Sequence, residues 1–229
     1  MSTLFGISRE LMGVLSAGAL LPACLHSMGE ATDEGHGQPI MFIPGFGGSD
    51  WSLDVLRMRL TQRGFKTNPS GIRNSGNYKK HSEHLLSRLQ AIADETGQSV
   101  ALVGHSMGGR FACHLADEAP SLVRSIVMMG TPIEKRQMPA LVSILQLDAL
   151  CAEMGSRCHL PTATPLTVIV GELDQIVSVS EAELSKTELR ARYREQVLVP
   201  TDHLGLPYAT SIPALVAKGV LKTRKSAIH

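Results

Sequence analysis

Short apolar runs alternate with longer stretches of helical period through most of this chain, and that alternation constrains the fold more than any other feature. PIMFI at 39–43, SVALV at 99–103, VRSIVMM from Val123, LTVIV at 166–170 and QVLV at 196–199 are short, apolar and rich in β-branched residues. Such runs read as strands buried on both faces. Between them, 53–63, 78–96 and 107–118 repeat their apolar residues at helical spacing. The second of these puts Leu85, Leu86, Leu89 and Ile92 on one face, and the third stops before Pro120. A further short strand is expected over 65–72 and a closing helix over 213–218. Strands alternating with helices imply right-handed βαβ units and a mostly parallel sheet with helices on both faces. In such sheets ligands bind beyond the carboxyl ends of the strands. The loops after PIMFI, SVALV, LTVIV and QVLV are therefore where chemistry is expected.

Those loops carry a consistent set of residues. GHSMGG directly follows SVALV and opens a helix, so Ser106 stands between Gly104 and Gly108 at a strand-to-helix turn. Glycine at both flanks permits a turn tight enough to push the serine outward. The helix that starts there directs N–H groups toward the same place. A serine hydroxyl needs a base, and the base needs an orienting acid. GELDQIV follows LTVIV and supplies Asp174; TDHLGL follows QVLV and supplies His203. Glu172 and Asp202 are rival carboxylates, although Asp202 is read as capping its own loop. His105 lies in the turn but is expected to point away from Ser106. Acyl transfer also needs two N–H donors for a developing oxyanion. Met107, just after the serine, is one candidate. Phe46, in the PGFGGSD loop after PIMFI, is the other.

The bulk composition narrows the function classes. Of 229 residues, 43% are hydrophobic and 19% charged, with a formal net charge of +1. That balance argues against nucleic acid as a main partner. The four cysteines, Cys24, Cys113, Cys151 and Cys158, show no CxxC pairing of the metal-binding type. Cys113 is expected in a buried helix. Cys151 and Cys158 could close a short disulfide loop in an oxidising compartment and would be free thiols in the cytosol. The N-terminal LMGVLSAGALLPACL has two readings: an amphipathic helix packed on the domain, or an exported or lipid-anchored leader ending at Cys24. The helical reading, over 1–34, is preferred and places the chain in the cytoplasm; the apolar segment leaves membrane association open. Residues 131–165 are long for one crossover and contain MPALVSILQLDAL, which is apolar nearly all round. They are read as a compact cap, with Leu141 and Leu145 as candidate substrate contacts.

The motifs PGFGG, GHSMGG, GELDQIV and HLGL, in this order, resemble the α/β-hydrolase superfamily, and within it the lipase-like serine esterases, over about 35–206. The resemblance implies an α/β-hydrolase fold with a small cap between the strands near 123–129 and 166–170. It also implies Ser106 as nucleophile, His203 as base, Asp174 as orienting acid, and Phe46 and Met107 as oxyanion donors. GHGQPIMFIPGF and GIRNSG further resemble a bacterial subgroup of uncertain substrate. That likeness favours the N-terminal helix and makes Arg73 and Asn74 candidates for the edge of a site. Many lipases carry His-Gly where this chain has Pro44-Gly45, which leaves the shape of the oxyanion loop open. The function so implied is hydrolysis of a small-molecule carboxylic ester with a hydrophobic acyl chain, with no metal or organic cofactor. Two alternatives use the same residues: acyl transfer to an alcohol or thiol, and a non-catalytic binding protein on a hydrolase scaffold.

Overall fold

The computed structural model describes residues 31–73, 78–134, 157–191 and 193–223. Six strands form one parallel sheet: β1 (Pro39–Ile43), β2 (Lys66–Pro69), β3 (Val100–His105), β4 (Val123–Met129), β5 (Leu166–Gly171) and β6 (Arg194–Val199). Their order across the sheet is β2-β1-β3-β4-β5-β6, and every neighbouring pair runs parallel. The sheet is the one expected from the alternating pattern.

Successive side chains of a strand point to opposite faces, so an apolar run feeds two cores at once. On one face Met41, Ile43, Leu102, Met128 and Val168 pack with Leu85, Leu89, Phe111 and Leu115 of the helices Tyr78–Thr96 and Met107–Glu118. On the other, Ile40, Phe42, Val103, Val127 and Ile169 pack with Leu56 and Leu60 of the helix Asp54–Gln62 and with Ile212 and Val216 of Ile212–Val220. Each fully buried aliphatic side chain contributes about 1.5–3 kcal/mol of transfer free energy. This two-sided burial explains why the strands read as continuous apolar runs rather than as an alternating pattern.

Several elements differ from the sequence reading. β2 spans only Lys66–Pro69, because the chain beyond it turns away: Ser70 and Gly71 donate their N–H groups to the Asp50 carboxylate at 3.0 and 2.8 Å. The helix expected from residue 53 begins at Asp54, behind a 3₁₀ turn at Asp50–Leu53. The closing helix runs further in both directions, and β6 starts two residues earlier, at Arg194. Two short helices, Val179–Ala182 and Lys186–Arg190, are too brief to show a 3.6-residue period. Each is announced instead by a capping box, SVSE at 178–181 and SKTE at 185–188.

Of the expected cap, residues 131–134 and 157–165 are described, and its two ends are held together. Glu134 and Arg157 form an antiparallel bridge, Cys158 N–H donates to Ile133 O at 2.7 Å, and the Arg157 guanidinium pairs with Glu134 and Glu188. Cys113 and Cys158 are buried free thiols. Cys151, and the helical segment expected over 1–34 except its last four residues, lie outside the described residues.

Candidate active site

β3 delivers the chain into a turn whose backbone is strained. Ser106 has φ 53° and ψ −124°, a region that non-glycine residues rarely occupy. Two hydrogen bonds hold it there. Ser106 N–H donates to Met129 O of β4 at 2.8 Å, and Gly109 N–H donates to Ser106 O at 3.1 Å. The flanking glycines are close approaches. A Cβ on Gly104 would lie 2.4 Å from the Gly108 carbonyl, and one on Gly108 would lie 2.2 Å from Ile43 O at the end of β1. The serine is left half-buried at the carboxyl edge of the sheet. Met107 is the first residue of the helix that follows, so its N–H has no acceptor within that helix.

Asp174 and His203 meet from loops after β5 and β6. His203 Nδ1 lies 2.7 Å from Asp174 Oδ2, and both side chains are almost wholly buried. The other carboxylate oxygen accepts N–H bonds from Ile176 at 2.9 Å and Val177 at 2.7 Å. A carboxylate fixed by three bonds offers the imidazole one orientation. It places the imidazole proton on Nδ1 and leaves Nε2 with a lone pair. No hydrogen bond joins Ser106 Oγ to His203 in this structure; such contacts often tighten only around a bound substrate.

The rival carboxylates sit elsewhere. Glu172 is exposed, and Asp202 accepts the Gly205 N–H at 2.6 Å, capping its own loop as expected. Phe46 is half-buried in a tight turn closed by Gly48 N–H to Gly45 O at 3.0 Å. That loop touches the elbow: a Cβ on Gly45 would come within 2.9 Å of Ser106 Cβ. The structure thus brings Ser106, Asp174, His203, Phe46 and Met107 to one edge of the sheet. Arg73 is exposed, while Asn74, Leu141 and Leu145 fall outside the described residues.

Two residues at this edge were not given a role from sequence. Gly130, after β4, has φ +55°, and a Cβ there would lie 3.2 Å from His203 Nδ1 and 3.3 Å from Asp174 Oδ2. Its signal was a glycine ending VRSIVMM at the sheet's carboxyl edge. His105 is buried, and its Nε2 lies 3.0 Å from His203 O. Burial pushes the His105 imidazole down to about 3, with the neighbouring His203 acting in the same direction.

A family model described as the alpha/beta hydrolase fold matches residues 38–150. The chain has the α/β-hydrolase fold. Among known proteins, the chain is 31% identical over 104 residues to a triacylglycerol lipase of Pseudarthrobacter phenanthrenivorans, covering 41% of this chain and 33% of that one. The chain spans about a third of the length of the curated relatives it matches, 33% and 29%. Among solved structures, a lipase-esterase related protein from Clostridium acetobutylicum superposes with a TM-score of 0.60 at 12% identity, over 83% of this chain and 98% of that one. A monoacylglycerol lipase from Paleococcus ferrophilus gives 0.56 at 16% identity, over 80% and 95%. At these identities the structural likeness establishes the fold.

Proposed function

We propose that this protein cleaves carboxylic esters through an acyl-enzyme on Ser106. The observation that carries the reading is the buried Asp174–His203 pair, 2.7 Å apart, at the same sheet edge as a serine on a strained turn. In this mechanism His203 Nε2 takes the Ser106 proton as Oγ attacks the acyl carbon. The tetrahedral oxyanion is held by the N–H groups of Met107 and Phe46. The C–O bond to the alcohol then breaks, and the imidazolium returns its proton to the leaving oxygen. Water, activated by the same imidazole, attacks the ester on Ser106 and releases the acid. Asp174 stays ionised throughout and stabilises the imidazolium.

The likeness to triacylglycerol lipases supports an ester as substrate. A hydrophobic acyl group is the companion proposal. The apolar sequence MPALVSILQLDAL lies in the chain between Glu134 and Arg157, two residues that pair in an antiparallel bridge.

The test is reaction with a fluorophosphonate, read by intact mass, in wild type and Ser106→Ala. A single adduct in wild type that is lost in the variant is the expected result. p-Nitrophenyl esters of increasing chain length then measure acyl preference. An unlabelled wild type, or equal labelling of both proteins, would overturn the assignment of Ser106.

A further inference from the structure

The loop that carries His203 is anchored by the residue immediately before the proposed nucleophile. His105 Nε2 lies 3.0 Å from the His203 main-chain oxygen. A carbonyl only accepts, so the proton of this bond resides on His105 Nε2. The two rings lie against each other with centroids 4.9 Å apart and planes tilted by 41°. His105 is 6% exposed and His203 3%, so water cannot replace the bond without opening the site. The second ring nitrogen of His105 faces the oxyanion loop: a Cβ on Gly45 would lie 3.4 Å from its Nδ1. One side chain on the serine turn therefore abuts both the loop of the proposed base and the oxyanion loop.

We infer that His105 is a positioning residue, which sets the distance between Ser106 and His203 by donating Nε2–H to the main chain of the base. The inference rests on the reading of Ser106, Asp174 and His203 as the reacting groups. Asp174 fixes the His203 ring through Nδ1, but a ring held at one atom still swings with its backbone. The bond from His105 removes that freedom. Because its donor stands on the residue next to Ser106, the base is located relative to the nucleophile itself rather than to the sheet at large. The donor must also be neutral. When His203 becomes an imidazolium during turnover, a second cation 4.9 Å away would oppose it. Burial of His105 meets that need, since it disfavours the protonated ring.

His105→Gln and His105→Met separate this role from simple packing. The two side chains have matching shape and reach, and only glutamine presents an N–H. For each variant, kcat and KM on p-nitrophenyl butyrate are measured together with the rate constant of fluorophosphonate labelling. That rate constant is independent of how much protein is folded. The glutamine variant is expected to keep kcat within about threefold of wild type. The methionine variant should lose about 10- to 100-fold in kcat and in labelling rate, with KM nearly unchanged. Equal kcat and labelling rates in the two variants would overturn the inference. Unaltered labelling of Ser106→Ala would instead overturn the underlying triad reading, so the two failures are told apart.

Discussion

At the scale of single residues, the site depends on side chains that are absent as much as on those present. Gly130 is the clearest case. Its φ of +55° is costly for an L residue, and any Cβ would press on Leu206 Cδ1 at 2.8 Å as well as on the His203–Asp174 pair. Gly130→Ala is expected to cost about 1–2 kcal/mol from the backbone alone. It should also slow ester turnover by about 10- to 100-fold, because the new methyl displaces the two groups that must stay aligned. Urea unfolding and kcat measured on the same preparation check both parts. An alanine variant with wild-type kcat would show that the pair tolerates movement. The proposed acid, by contrast, was readable without a structure: Asp174 follows an apolar run at the expected edge, and its carboxylate is held by the N–H groups of the next two turn residues but one, Ile176 and Val177.

At the scale of elements, the short helix Val179–Ala182 links the acid to the base of the inserted stretch. Glu181 is buried; its carboxylate accepts from Ser178 N–H at 3.0 Å and from Ser178 Oγ at 2.7 Å. Its main-chain oxygen accepts from Ile133 at 2.8 Å and Glu134 at 3.0 Å, and Ser178 directly follows the Val177 amide that holds Asp174. Glu181→Ala removes the capping box and takes the carboxylate acceptor from the Ser178 N–H. A loss of about 1 kcal/mol is expected, seen as a lower urea midpoint at unchanged slope, together with slower turnover. Ser185→Ala, in the neighbouring exposed box, should lose comparable stability without touching kcat. If both variants behave alike in turnover, the first helix does not serve the acid. Neither helix was legible from periodicity, because one turn carries no repeat; only the S-x-x-E spacing marked them.

Across the whole molecule, acid stability should report two buried or paired groups in separate pH windows. His105 binds a proton at about 3 in the fold but near 6.5 when exposed. Its stabilising contribution is complete above pH 6.5 and is lost as the pH falls from there toward 3, because the unfolded chain takes up the proton first. Glu195 on β6 is held below its ordinary 4.5 by hydrogen bonds from Lys218 and Lys222. Its contribution is complete above 4.5 and is lost as the pH falls through the lowered value. Calorimetric melting points taken across this range should therefore decline in two stages. His105→Gln should reduce the upper stage, to which His114, also lowered by burial, contributes, and Glu195→Gln the lower, which Glu95 and Glu188 share. A wild-type melting point constant from pH 6.5 to 4.5 would contradict the burial of a neutral His105. What the sequence by itself determined was the order of strands and helices and the loops that carry Ser106, Asp174, His203, Phe46 and Met107. Apolar runs, helical spacing and glycine-rich turns are local signals, each contained in a few adjacent residues. What only the tertiary structure decided was which of those loops touch. His105 meets a carbonyl 98 residues away, and Gly130 makes room for a pair contributed by two later strands. Both follow from the sheet order β2-β1-β3-β4-β5-β6, which stacks distant strand ends along one edge and leaves no trace in the residues on either side.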